Sequence, residues 1–99
     1  MDFALTSRRA LVTGASSGLG LGCARALAAE GAEVTLVARS AERLAAAAAS
    51  VPGTVHTLVA DVSDTQQVAR MVDQATDVMG GIDILIANAG GPQIGRAHV

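Results

Sequence analysis

Chemistry in this sequence is concentrated in Thr13-Gly14-Ala15-Ser16-Ser17-Gly18-Leu19-Gly20. The stretch follows an apolar run, Ala10-Leu11-Val12, and opens a helical pattern that continues through Ala29. Strand, glycine-punctuated turn and helix, in that order, can hold a phosphate against a helix N-terminus. The N–H groups of a first turn have no helical partner, and the aligned peptide dipoles place partial positive charge there. Glycines at 14, 18 and 20 let the chain turn tightly and leave no side chain to hold a pyrophosphate away. Ser16 and Ser17 add hydroxyls that can donate to ribose or phosphate oxygens. A glycine-rich turn without a ligand is the plainer reading of the same residues.

The elements that would position this loop alternate along the chain. Arg9 to Thr13 reads as a short strand, continuously apolar, as expected where both faces are covered. Gly18 to Glu30 reads as a helix with Leu19, Cys23, Ala26 and Leu27 on one face, stopped by Gly31. Ala32 to Ala38 is expected as the second strand. Ser40 can cap an alanine-rich surface helix from Ala41 to about Ser50. Pro52-Gly53 marks a turn before a β-branched third strand, Thr54 to Ala60. Ser63 with Gln66 reads as a capping box for a helix ending near Met79, with Val68, Met71, Val72, Ala75 and Val78 or Met79 facing inward. Gly80-Gly81 ends that helix, and Asp83 to Ala87 forms the fourth strand. Strand–helix alternation at this spacing predicts an α/β fold, a Rossmann-type doubly wound parallel sheet, incomplete here. The expected strand order is 3-2-1-4, with helices on both faces and a ligand across the carboxyl ends of the strands.

The end of the second strand bears on which dinucleotide would fit. NAD-preferring members of such folds carry an acidic residue there, whereas this chain has Ala38 followed by Arg39-Ser40. No carboxylate stands ready to repel a 2′-phosphate, and a guanidinium can pair with one bidentately, which reads as NADP rather than NAD. An ordinary solvated arginine at a helix start is the competing reading.

The glycines, spaced G-x-x-x-G-x-G, make the chain resemble the short-chain dehydrogenase/reductase family, whose cofactor loop reads T-G-x-x-x-G-[IL]-G. Two later landmarks fit that resemblance: Asp61-Val62 after the third strand, and Asn88-Ala89-Gly90 after the fourth. The resemblance implies that Asp61 accepts from an adenine amino group while Val62 flanks the ring. It implies that Asn88 ties strand ends together and that Ala89 and Gly90 let the nicotinamide ribose approach. By residue chemistry alone, a strand-end aspartate starting a turn and a generic loop would serve equally well. The match runs from about Ser7 to Pro92. It implies an NADP-dependent oxidoreductase moving hydride between nicotinamide and a carbonyl/alcohol pair on a small molecule, in a homo-oligomeric parent. Thioesters of 3-oxo acids, sugars, steroids and other ketones all stay open as substrates.

The family's catalytic serine and Tyr-x-x-x-Lys have no counterpart here, since the sequence contains neither tyrosine nor lysine. Residues 1–93 are therefore expected to be a cofactor-binding part without a catalytic residue, inactive by itself. A free-standing NADP(H)-binding sensor is the alternative, and a non-binding remnant a third possibility. Residues 94–99, Ile-Gly-Arg-Ala-His-Val, have no family counterpart and can be encoded by the start of a DNA-sequencing adapter. They are expected to be a non-native read-through tail, a truncated gene being the competing account.

Composition narrows the rest. Half of the 99 residues are apolar, the net charge is −2, and the seven basic residues, all arginine, are scattered, which argues against nucleic acid. The lone Cys23 sits inside a helical pattern and suits a reducing compartment better than a disulfide. No apolar run approaches bilayer length and no leader is evident, so no membrane partner and a cytoplasmic location are expected. His56 has no second ligand at metal spacing, and no metal site is expected.

Overall fold

The computed structural model describes residues 8–87. Four parallel strands, β1 (Arg9–Thr13), β2 (Glu33–Ala38), β3 (Val55–Val59) and β4 (Ile84–Ile86), form one sheet in the order β3-β2-β1-β4. Three helices connect them: α1 (Gly18–Ala29), α2 (Ala41–Ala49) and α3 (Thr65–Met79). The expected strand order and alternation are borne out. Register is continuous across the sheet, with Val12 opposite Leu36 on one side and Ile86 on the other.

Side chains of a strand alternate between faces, so the two central strands supply two cores. On one face Ala10 and Val12 of β1 and Val34, Leu36 and Ala38 of β2 pack with Ala24 and Ala28 of α1 and Leu44 and Ala47 of α2. On the other, Leu11 and Val37 pack with Met71, Ala75 and Met79 of α3. This is why β1 and β2 read as largely apolar runs: both faces of each strand are covered. Thr35 is the polar exception, fully buried, and its Oγ1 has no hydrogen-bond partner among the described residues.

Two helix faces differ from expectation. On α1 the buried residues are Gly20, Ala24 and Ala28, while Leu19 is 75% exposed and Ala26 points outward. Small residues at i, i+4 and i+8 let the helix axis approach the sheet more closely than a leucine ridge would allow, and Leu21 and Leu27 fill the flanks. On α3, Met71, Ala75 and Met79 form the buried stripe; Val72 and Val78 are exposed. The α3 cap is also one residue later than expected. Asp64, not Ser63, receives the Gln66 N–H, at 2.9 Å, because Ser63 is engaged by Asp61. α2 begins as predicted, with Ser40 Oγ accepting the Arg43 N–H at 3.2 Å.

At the amino ends of β1 and β4, Asp83 is drawn out of its strand by Arg9. Its Oδ2 accepts from the Arg9 backbone N–H at 2.9 Å and from Nε at 3.0 Å, and Oδ1 accepts from Nη2 at 3.3 Å. The Asp83 N–H in turn donates to the Arg9 carbonyl at 2.8 Å. Among the described residues β4 is an edge strand. Leu85 is 56% exposed, and Ile84 and Ile86 are half-buried against the α1–α2 core. No helix of the described residues is long and apolar enough to cross a membrane.

Candidate functional site

The carboxyl ends of β1, β2 and β3 open onto a cleft of about 710 Å³. Gly14, Ser16 and Ser17 line it from the turn after β1, Arg39 and Ser40 from the end of β2, and Asp61 and Val62 from the end of β3. Val37, Ala38 and Ala60 line it with them, joined by Arg43 and Ser63. Three short connections thus converge because three parallel strands end at the same level. Two main-chain bonds hold them there: the Ala15 N–H donates to the Val37 carbonyl and the Ala60 N–H to the Ala38 carbonyl, both at 3.0 Å. Ala15, fully buried, pins the turn to the sheet while Ser16 and Ser17 remain accessible.

The turn itself depends on two left-handed residues, Gly14 at φ +60° and Gly18 at φ +58°. Ser17 precedes α1 in an extended conformation and makes no side-chain capping bond, and no acidic residue lies in the helix's first turn. α2 and α3, by contrast, are capped by Ser40 and Asp64. The N-terminal N–H groups of α1 therefore lack the side-chain acceptor that the other two helices have, and no carboxylate in the first turn offsets their positive dipole end.

Among the described residues, Asp61 is the one carboxylate lining the cleft. Its Oδ1 accepts from Ser63 Oγ at 2.7 Å and from the Ser63 N–H at 3.0 Å. Those bonds, the hydroxyl first, hold the carboxyl below the usual aspartate range, with partial burial opposing and the Arg39 charge assisting. The Asp61 N–H is held by Gln67 Oε1 at 2.8 Å. Oδ1 is thus committed, the group is anionic near neutral pH, and Oδ2 has no hydrogen-bond partner among the described residues. Arg39 stands at the neighbouring strand end, exposed and without an ion pair among the described residues.

Of the residues singled out in the sequence, Gly14, Ser16, Ser17, Arg39, Ser40, Asp61 and Val62 come together on the cleft. Thr13 lies beneath it, buried, its Oγ1 donating to the Ile86 carbonyl at 3.4 Å and so tying β1 to β4. Gly18, Leu19 and Gly20 do not line the cleft: Gly18 shapes the turn, Gly20 faces the sheet, and Leu19 faces solvent. Asn88, Ala89 and Gly90 lie outside the described residues. Sequence reasoning missed Arg43 and Ser63. The place of Arg43 in the first turn of the helix that Ser40 caps, and the Asp-x-Ser pattern of an Asx-turn at 61–63, were the signals available. Cys23 is half-buried on α1, away from the cleft lining, and His56 pairs with Glu33 across β3 and β2 at 2.7 Å. No group of three potential metal ligands occurs among the described residues.

This arrangement offers hydroxyls and main-chain donors at the glycine turn, cationic side chains on one wall and a fixed acceptor on another. Comparison with known proteins agrees with it. A family model described as short chain dehydrogenase matches residues 8–98. The ketoacyl reductase HetN of a Nostoc species is 46% identical over 89 residues, covering 87% of this chain and 31% of that protein. Galactitol 2-dehydrogenase of Agrobacterium fabrum is 40% identical over 85 residues, 86% of this chain and 33% of the relative. Among solved structures, the L-sorbose reductase of Gluconobacter frateurii, complexed with NADPH and L-sorbose, superposes with a TM-score of 0.84 at 39% identity. That match covers 92% of this chain and 36% of the reductase. The chain spans about a third of the length of these relatives. On the sheet order, the glycine turn and these matches together, the chain belongs to the short chain dehydrogenase family.

Proposed function

We propose that this chain is the cofactor-binding portion of an NADP-dependent oxidoreductase acting on a carbonyl/alcohol pair of a small-molecule substrate. The observation that carries the reading is the convergence of the Gly14–Ser17 turn, Arg39 and Asp61 on one cleft. The residues present fit a dinucleotide. The uncapped start of α1 and the hydroxyls of Ser16 and Ser17 suit a pyrophosphate. The uncommitted Oδ2 of Asp61 suits an adenine amino group, with Val62 beside the ring. Arg39, without an ion pair among the described residues, suits a 2′-phosphate at the end of β2. Asn88, Ala89 and Gly90 belong to the same proposal as neighbours of the nicotinamide ribose. When bound, NADP(H) supplies or accepts the hydride.

The residues of this chain bind and orient; none of them supplies the proton that carbonyl reduction needs. With neither tyrosine nor lysine in the sequence, we assign the proton donor to a longer protein and expect no turnover from these 99 residues alone. The NADPH complex of L-sorbose reductase supports the choice of cofactor. The test is fluorescence titration of NADPH and NADH into the full-length protein and its Arg39→Asp variant. Preference for NADPH that moves toward NADH in the variant is the expected result. Unchanged discrimination removes Arg39 from the site, and failure of either dinucleotide to bind the unaltered protein removes the reading altogether.

A further inference from the structure

Gln67 stands outside the cleft lining, half-buried in the first turn of α3, yet it reaches back to Asp61, which lines the cleft. The two ends of its amide have different tasks. Oε1 accepts the Asp61 N–H at 2.8 Å, and Nε2 donates at 3.4 Å to Oδ2 of Asp64, the α3 cap. A glutamine at this helix position ordinarily returns to the N–H of the cap residue. Here that N–H donates to the Asp61 carbonyl at 3.1 Å, and the amide reaches the strand end instead. The bond falls where the sheet ladder stops: the Ala60 N–H still donates to Ala38 of β2, whereas the next N–H goes to Gln67. Gln67 thus fixes where the chain leaves the sheet. With Ser63 on Oδ1, every polar atom of Asp61 except Oδ2 has a partner within residues 61–67. A fixed anionic oxygen accepts from an N–H placed where it stands and repels a carbonyl oxygen there.

We propose that Gln67 is a positioning residue that makes the cleft selective for a 6-aminopurine over a 6-oxopurine, by locking the main chain from which the Asp61 carboxylate projects. The proposal rests on reading the cleft as a dinucleotide site in which Asp61 accepts from the base. Adenine offers that oxygen an amino group. Hypoxanthine offers a carbonyl oxygen at the same place, and an N–H only at the neighbouring ring nitrogen. A carboxylate free to shift follows that N–H and accepts either base, whereas one held in place by Gln67 rejects the second. Selectivity between the two bases therefore reports how firmly Asp61 is held, not merely that a carboxylate is present.

The experiment is fluorescence titration of NADPH and of its hypoxanthine analogue, which carries the same reduced nicotinamide, into the full-length protein, Gln67→Met and Gln67→Glu. The unaltered protein is expected to prefer NADPH roughly tenfold, the worth of one hydrogen bond to a charged group. Gln67→Met keeps the length and loses the acceptor, and should cut that preference below about threefold while still binding NADPH. Gln67→Glu keeps an acceptor for the Asp61 N–H and should hold the preference within about twofold of the original. A general loosening of the fold weakens both dinucleotides alike and leaves the preference where it was. Undiminished preference in Gln67→Met overturns the proposal, as does an equal loss in Gln67→Glu. Should Gln67→Met fail to fold, Gln67→Glu carries the test alone, its retained preference supporting the proposal and its lost preference overturning it. Equal binding of both dinucleotides by the unaltered protein overturns the proposal and leaves the dinucleotide reading in place; failure of either to bind ends both.

Discussion

Gly18 and Gly22 sit four residues apart on α1, and among the described residues a methyl group added at either meets nothing within 4 Å beyond its chain neighbours and the helix's own backbone. Their backbones differ: Gly18 has φ +58°, whereas Gly22 is an ordinary helical residue. The same substitution should therefore have opposite effects on stability. At Gly22 alanine removes excess freedom from the unfolded chain and improves helix propensity, so Gly22→Ala is expected to stabilise by about 0.5–1 kcal/mol. At Gly18 an L side chain is forced into the left-handed region, a penalty of about 1–2 kcal/mol. With open space around the added carbon, contacts with other elements add nothing to that figure, which is local backbone strain. The assay is urea unfolding of the full-length protein and both variants, followed by NADPH titration of each. Gly18→Ala should lose stability by the strain alone, and should lose NADPH affinity by more than Gly22→Ala does. Equal stability changes at the two sites would refute the conformational argument. A Gly18→Ala protein that binds NADPH within twofold of the original would refute the placing of a pyrophosphate over this turn.

Thr35→Val should raise stability by about 1 kcal/mol, because it replaces an unpartnered buried hydroxyl with a methyl of the same shape; a lowered unfolding midpoint would show that Oγ1 has a partner. Leu44→Ala should destabilise by about 3 kcal/mol, since Leu44 is 1% exposed and is the one large side chain anchoring an otherwise alanine-rich α2. NADPH affinity should fall with it, Ser40 and Arg43 being carried on that helix. Asp83 is held below its ordinary carboxylate range by the hydrogen bonds from the Arg9 side chain and then its N–H. Its contribution to stability is therefore complete above the unfolded value, near pH 4, and is lost as pH falls through the lowered folded value. Asp83→Asn should flatten that part of the acid-unfolding profile, and an unchanged profile would show that the pair does not report on folding.

The sheet was legible because its signal is redundant. Apolar runs at Ala10–Val12 and Val34–Val37, each followed by a helix-length segment, admit few topologies, and the right-handed crossover rule leaves the observed one. Helix faces were less legible. Leu19 is a large apolar side chain in the first α1 turn, and hydrophobicity alone sends it inward. Burial instead follows Gly20, Ala24 and Ala28, because closeness of approach to the sheet outweighs side-chain size. At the site, the residues that touch the cleft through one short loop were legible from their motifs. Ser63 was assigned to the wrong task because Asp61 and the α3 N-terminus compete for it, and only the folded geometry decides that competition. Arg43 was hidden by its setting in an alanine-rich helix, where an arginine reads as a solubilising residue.

Among the described residues, the lining of the cleft is drawn from positions 14 to 63, whereas β4 joins the sheet through pairing with β1, more than 70 positions back. On a growing chain the two events are therefore separated. β1, β2 and β3 can pair in the order in which they are synthesised, each closing a short crossover, and the cleft takes shape with them. β4 arrives last and must close the longest loop onto a strand whose other edge is already taken. At the usual pace of translation, roughly 5–20 residues per second, the cleft-lining half has more than a second to assemble before β4 leaves the ribosome. A dinucleotide that binds at that stage would stabilise the nascent sheet before its last strand is in place.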